Sequence, residues 1–101
     1  MTKVIVALVR KDGMSREEFR AYWRDVHGAI GARMPGVRKY VQNHVTNDGV
    51  PFDGLAEMWF DSMEDMQKAF TSEAAQEAAR DVPNFLASQQ VILVEEVEMT
   101  P

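Results

Sequence analysis

Cysteine is absent from the sequence, and so is any apolar run long enough to cross a bilayer. Without cysteine there is no disulfide, no thiolate zinc site and no cysteine nucleophile, which leaves metal binding to histidine and carboxylates. The apolar run near the start, Val4 to Val9, is shorter than the apolar region of a signal peptide. We expect a cytoplasmic protein with no membrane partner.

Positive charge is scarce as well. Eleven Lys and Arg stand against 16 Asp and Glu, for a net charge of −5, and the basic residues are scattered among acidic ones. Such a surface repels phosphate backbones, so we expect no nucleic-acid partner. The sequence also has no glycine-rich phosphate loop and no serine in a nucleophile elbow, so we expect no dinucleotide or other cofactor. The length of 101 residues predicts one domain over residues 1–101.

Hydrophobic periodicity predicts the element order β-α-β-β-α-β. The run Val4 to Val9 is apolar at both parities, which is typical of a strand covered on both faces. A capping box at Ser15 and Glu18 predicts the start of a helix. The apolar stripe of this helix includes Val26, and the helix ends before Pro35. The predicted elements are strand 4–9, helix 15–34, strands 37–46 and 55–60, a helical region 62–80 and strand 91–97.

This order predicts an α+β, ferredoxin-like βαββαβ fold with a four-stranded antiparallel sheet and both helices on one face. Two helices can cover only one face of the sheet, although the first, third and fourth predicted strands are apolar on both. An exposed apolar face of that size indicates an interface, so we expect a homodimer joined sheet to sheet.

A histidine lies on the predicted buried stripe of the first helix. Counting from the first apolar anchor, Phe19, helical spacing puts His27 on the same face. An imidazole between helix and sheet can transfer protons near neutral pH. The alternative is a core histidine bonded to a backbone carbonyl at the helix end, because Gly28 and Gly31 follow it.

Polar residues alternate along the second strand. Tyr40, Gln42 and His44 lie on one side of it, and if that side faces the helices they line the same cavity as His27. Alternatively, this is an edge strand whose polar side meets water or a partner. Glu57 on the third strand can orient a histidine or contact the partner subunit, depending on the hairpin register.

Large apolar side chains are expected in the core, where they can also form the wall of a pocket for a small aromatic or polyketide-like ligand. His27, His44 and Glu57 offer the donors of a two-histidine, one-carboxylate metal site, but their spacing fixes no common centre, so we expect no metal. The apolar residues assigned to substrate binding are Phe19, Trp23, Met34 and Trp59.

Three motifs together resemble the EthD family of the dimeric α/β-barrel superfamily. They are Phe-x-x-Tyr-Trp-x-x-x-His-Gly at 19–28, Pro-Gly-x-x-x-Tyr at 35–40 and Asp-Gly-x-x-Glu-x-Trp-Phe at 53–60. The resemblance covers nearly the whole chain. It implies a ferredoxin-like monomer, two sheets packed into a barrel, and a ligand cavity between sheet and helices. Members are often labelled reductases without a demonstrated cofactor.

The sequence also resembles the related methylmuconolactone isomerases. Their histidine, followed thirteen residues later by a tyrosine with Met-Pro-Gly between, matches His27, Tyr40 and residues 34–36. The cysteines of that branch have no counterpart here. The resemblance implies that His27 and Tyr40 are site residues. We expect His27 to act as a general acid/base and Tyr40 to donate a hydrogen bond to a carbonyl or enolate oxygen, with His44 or Glu57 making a second polar contact.

Three functions follow as hypotheses. The first is a cofactor-independent isomerase, cyclase, dehydratase or decarboxylase that acts on a small aromatic, lactone or polyketide-like molecule. The second is a binding or carrier protein in which His27 and Tyr40 only anchor a ligand. The third is haem binding with His27 as the axial ligand, as in other branches of the superfamily.

Overall fold

The computed structural model describes residues 1–101 and contains one antiparallel sheet with four short helices on one face. The strands are ordered β2-β3-β1-β4, with every neighbouring pair antiparallel, which confirms the predicted ferredoxin-like α+β fold. The elements are β1 (Thr2–Arg10), α1 (Arg16–Tyr22), a π-helical turn (Trp23–His27), α2 (Gly28–Gly31), β2 (Lys39–His44), β3 (Gly54–Phe60), α3 (Met63–Phe70), α4 (Glu73–Asp81), a 3₁₀ turn (Val82–Asn84) and β4 (Leu86–Val94).

Serine side chains begin three of the helices. The predicted capping box is present, since Ser15 accepts a hydrogen bond from the Glu18 backbone and the Glu18 carboxylate accepts one from the Ser15 backbone. Ser62 and Ser72 cap α3 and α4 in the same way through their hydroxyl oxygens. None of these helices has the length and apolar character needed to cross a membrane.

Alternation along the strands separates the two faces of the sheet. In β3, Ala56, Met58 and Phe60 are buried against the helices, whereas Leu55 and Glu57 point to the other side. Two apolar clusters form the core between sheet and helices. One includes Val4, Met34, Met58, Phe60 and Met66, and the other includes Leu8, Phe19, Trp23, Ala56 and Phe85.

The face of the sheet away from the helices, here called the open face, is formed by alternate residues of all four strands and is covered by no helix. Near one end of β1 this face holds Lys3, whose Nζ lies 2.7 Å from both Glu57 Oε2 and Glu96 Oε2 and 4.5 Å from the centre of the Trp59 ring. Ile92 in β4 is 41% exposed on the same face. The open face therefore combines an ion-pair cluster with unpartnered apolar surface.

Two predicted boundaries are wrong. The last strand is not 91–97 but Leu86–Val94, because the polar residues 88–90 pair with residues 7–9 of β1 along an exposed edge that tolerates them. The first helix ends at Gly31, and Val26 is 43% exposed although the predicted stripe buries it. The exposure of Val26 follows from the π-helical turn, which changes the phase of the residues after Trp23.

One packing contact is close enough to be tested by substitution. A Cβ atom on Gly54 would lie 2.5 Å from Cζ3 of Trp23, whose ring fills the space above β3. We expect Gly54→Ala to lower the free energy of unfolding by about 1 to 3 kcal/mol, as overpacking a core does. Urea denaturation followed by circular dichroism measures the change. Ser88→Ala on the exposed edge is the control and should stay within about 0.5 kcal/mol of the parent; equal stability of both variants would contradict the contact.

Candidate active site

A cavity of about 220 Å³ lies between the sheet and the helices. Most of its wall is apolar, and the polar side chains that reach it are His27, Tyr40 and Gln89. Gln89 and Val91 of β4 line it and are also exposed, so its mouth opens along this edge strand. An apolar cavity with a few convergent polar groups is the usual form of a small-molecule site.

The π-helical turn places His27 in the wall of this cavity. The carbonyl of Trp23 accepts a hydrogen bond from the backbone of Gly28, five residues on, rather than from His27 as in an α-helix. The same carbonyl accepts a hydrogen bond of 3.0 Å from Nε2 of Gln42. A Cβ atom on Gly28 would lie 2.5 Å from that Nε2, so glycine here lets β2 approach the turn.

Asp81 at the end of α4 holds the imidazole of His27. The distance from His27 Nδ1 to Asp81 Oδ2 is 2.9 Å, and the side chains are only 13% and 10% exposed. The hydroxyl of Tyr22 donates to Oδ1 of Asp81, and Asn84 Nδ2 donates to the same oxygen at 3.0 Å. Burial alone would raise the pKa of Asp81, but these donors from Tyr22, Asn84 and His27 together lower it below its ordinary value.

The charge on Asp81 fixes the tautomer of His27. An ionised carboxylate can only accept hydrogen bonds, so the imidazole of His27 must carry a proton on Nδ1. In the neutral ring, the lone pair is therefore on Nε2. Nε2 makes no hydrogen bond within the chain. The ring of Phe85 packs against the imidazole with 4.6 Å between ring centres. His27 thus offers one free nitrogen in largely apolar surroundings.

A chain of hydrogen bonds along β2 orients Tyr40. Because the carbonyl of Trp23 can only accept, the amide of Gln42 must direct Nε2 toward it, and the same Nε2 donates to the hydroxyl oxygen of Tyr40 at 3.3 Å. Oε1 of Gln42 then accepts from Nε2 of His44 at 3.0 Å. The proton of the Tyr40 hydroxyl is therefore free to be donated elsewhere.

Burial shifts the pKa values of two groups in this chain. Desolvation raises the pKa of Tyr40 above its ordinary value, so the phenol stays protonated at neutral pH. Desolvation lowers the pKa of His44, and the positive charges of Arg20 and Arg24 lower it further. His44 is thus neutral near pH 7 and donates through Nε2, which matches its contact with Gln42.

The structure brings together only part of the set assigned to the site from the sequence. His27, Tyr40, Trp23 and Met34 line the cavity. Phe19 and His44 lie against Trp23, with ring centres 5.6 and 4.7 Å from it, and do not line the cavity. Two residues, Glu57 and Trp59, lie on the open face, on the other side of the sheet from the cavity.

Asp81 is the functional residue that sequence reasoning missed. It lies 54 residues after His27, and no local spacing connects the two. One signal was available: a carboxylate in the last turn of a helix, just before Val82 and Pro83, faces the negative end of the helix dipole. An acid at such an unfavourable position is expected to have a partner from elsewhere in the fold.

These features define a small α+β protein with a mostly apolar ligand cavity and an aspartate-oriented histidine in its wall. The profile of the EthD domain family matches residues 11–89, and the chain belongs to this family.

Relatives with known sequence or structure agree with that assignment. The 4-carboxymethyl-4-methylbutenolide mutase of Pseudomonas reinekei is 35% identical over 77 residues, which cover 66% of this chain and 71% of that one. An EthD family protein from Bacillus halodurans has a TM-score of 0.81 at 19% identity, covering 96% of this chain and 100% of its own. A dimeric ferredoxin-like protein of unknown function from Bacteroides fragilis has a TM-score of 0.74 at 19% identity, covering 94% of this chain and 95% of its own.

Proposed function

We propose that the protein is a cofactor-independent isomerase that moves a proton within a small lactone bound in the cavity. The observation that carries the proposal is the pair His27 and Asp81, in which Asp81 binds Nδ1 and leaves Nε2 without a hydrogen bond, in an apolar cavity that His27 and Tyr40 both line. The similarity to a butenolide mutase supports both the isomerase-type chemistry and the lactone.

The proposed reaction needs one base and one hydrogen-bond donor. Nε2 of His27 removes a proton from the γ-carbon of an α,β-unsaturated lactone, and the electron pair of the broken C–H bond is delocalised through the ring double bond onto the carbonyl oxygen, which forms a dienolate. The hydroxyl of Tyr40 donates a hydrogen bond to that oxygen, where negative charge develops. His27 then returns the proton to a different carbon, so the product is an isomer of the substrate with no net oxidation or reduction.

Asp81 acts through His27 in this proposal. Its negative charge stabilises the imidazolium that forms when Nε2 takes the proton, and its hydrogen bond keeps the ring in the required tautomer. Tyr22 and Asn84 in turn hold the carboxylate in place. Asp81 is therefore a positioning residue, because it binds His27 and does not itself line the cavity.

We also propose that two copies of the chain associate through their open faces. We place the protein in the cytoplasm, because the absence of cysteine is compatible with a reducing compartment. The unpartnered apolar surface around Ile92 supports this interface, and the Bacteroides fragilis protein of the same fold is described as dimeric. The interface would bury the ion pairs of Lys3 with Glu57 and Glu96. Each subunit keeps its own cavity, since the cavity lies on the helical side of the sheet.

Exchange with heavy water tests the acid/base role of His27. The parent protein is incubated in deuterium oxide with but-2-en-4-olide and with 4-methylbut-2-en-4-olide, two uncharged butenolides that keep a hydrogen on C4, and proton NMR follows deuterium incorporation and product. We expect exchange or isomerisation with at least one lactone, and a loss of about 100-fold or more in His27→Gln. Unchanged turnover in His27→Gln would contradict the assignment, and a lactone that stays bound without exchange would favour a carrier protein.

A matched pair of variants distinguishes the positioning role of Asp81 from the general effect of removing a negative charge. Asp81→Asn should lower the exchange rate by about 10-fold or more while the affinity for the lactone changes little, because the tautomer of His27 is no longer fixed. Asp25→Asn removes an exposed carboxylate that contacts only Arg24 and should leave the rate unchanged. Equal effects of the two substitutions would contradict the positioning role.

A second matched pair tests the open face. Ile92→Asp places a charge in the proposed interface, whereas Val26→Asp places one on the helical side at nearly the same exposure, 43% against 41%. Sedimentation velocity at low micromolar concentration should give a dimer for the parent and for Val26→Asp, and a monomer for Ile92→Asp. A monomeric parent protein, or a dimer in Ile92→Asp, would overturn the proposed interface.

A further inference from the structure

We infer that the cavity selects an uncharged lactone of about one ring and discriminates against lactones that carry a carboxylate. This inference names the substrate class of the same site and therefore rests on the proposed function. It follows from the charges around the cavity, from its size, and from the side of the sheet on which it lies.

No lysine or arginine lines the cavity. A carboxylate placed there would lose its hydration without gaining an ion pair, and an unpaired buried charge is strongly unfavourable. The hydroxyl of Tyr40 and the amide of Gln89 can each offer a neutral hydrogen bond, which suits a carbonyl oxygen. The available donors therefore match a lactone carbonyl better than an anion.

The one charged group next to the cavity is negative. Asp81 lies directly behind His27, and its carboxylate is stabilised as an anion by the donors from Tyr22 and Asn84. A substrate carboxylate near His27 would meet like charge across a medium of low dielectric constant. Proton uptake by His27 only balances Asp81, so the pair leaves no net positive charge for a second anion.

The arginines that adjoin lining residues in the chain, Arg24, Arg33 and Arg80, are exposed and do not line the cavity. Arg33 binds Glu77 at 2.8 Å and is largely exposed. Arg20 donates to the carbonyl of Val45 at 2.7 Å, beside His44 and outside the cavity. Lys3 belongs to the open face, where it contacts Glu57 and Glu96. A partner subunit on the open face would also be separated from the cavity by the sheet.

The size of the cavity keeps any substituent close to the reacting atoms. An apolar cavity of roughly 150 Å³ accommodates benzene, so about 220 Å³ suits one ring with a few further atoms. In so small a molecule, a carboxymethyl group lies within two or three bonds of the ring. With the ring held at His27 and Tyr40, that group remains close to the reacting atoms and to Asp81 behind them.

The butenolide named for the Pseudomonas reinekei mutase carries a carboxymethyl group. The proposed selectivity therefore predicts that this protein binds that butenolide poorly. Its isosteric carboxamide, in which CH₂–CO₂⁻ becomes CH₂–CONH₂, differs in charge and hardly in shape. The pair isolates the effect of the charge.

Titration calorimetry at pH 7.5 with the two compounds tests the inference on binding alone. We expect the carboxamide to bind the parent protein at least 10-fold more tightly than the carboxylate. Equal affinity, preference for the carboxylate, or binding of neither compound would overturn the inference. The proposed function fails separately, if an uncharged butenolide with a hydrogen on C4 binds but shows neither exchange nor isomerisation in deuterium oxide.

A charge added to the wall should reverse the preference. Gln89→Lys places an ammonium at the mouth of the cavity and should raise the affinity for the carboxylate at least 10-fold relative to the carboxamide. Gln76→Lys makes the same change on the exposed side of α4, outside the cavity, and should leave the ratio of affinities unchanged. A ratio that shifts equally in both variants, or in neither, would contradict a cavity that discriminates by charge.

Discussion

The amide of Gln42 joins the edge of the sheet to the helix that carries the candidate catalytic histidine. Its Nε2 binds the carbonyl of Trp23 at the start of the π-helical turn and also contacts the hydroxyl of Tyr40. Both polar groups of the site therefore depend on one side chain, which packs against Gly28 with no room for a Cβ atom. The indole of Trp23 lies over Gly54 in the same way, so the position of His27 is set by contacts with two neighbouring strands.

The carboxylate of Asp81 is the charged group beside the cavity, and no lysine or arginine lines the cavity. Asp81 is buried, yet three donors keep it ionised, and its only titratable partner at the cavity is His27. The basic residues lie on the outer surface and on the open face, where Lys3 lies between Glu57 and Glu96. When His27 takes up a proton, the imidazolium and the Asp81 carboxylate together carry no net charge. Such a pair can accept and return the proton that an isomerisation without oxidation or reduction requires.

Local patterns predicted the order of the strands and the capping box at Ser15, because each depends on residues a few positions apart. The same patterns placed Tyr40, Gln42 and His44 on one side of β2 but left open whether that side faces the cavity. The π-helical turn was not predictable in this way. It is stabilised by Gln42, and α-helical counting past Trp23 consequently buried Val26, which is exposed. Asp81 was not predicted for the same reason, since only the packing of α4 beside the first helix brings it to His27.

The tautomers of the two histidines test the site most directly. Long-range ¹H–¹⁵N NMR should show the neutral imidazole of His27 protonated at Nδ1 and bare at Nε2, because Asp81 accepts a hydrogen bond from Nδ1. His44 should show the opposite tautomer, because its Nε2 donates to Gln42, and so serves as the internal reference. Addition of the uncharged lactone should shift the Nε2 resonance of His27. An Nε2-protonated His27, or an Nε2 resonance that the bound lactone leaves unmoved, would contradict a base that faces the substrate.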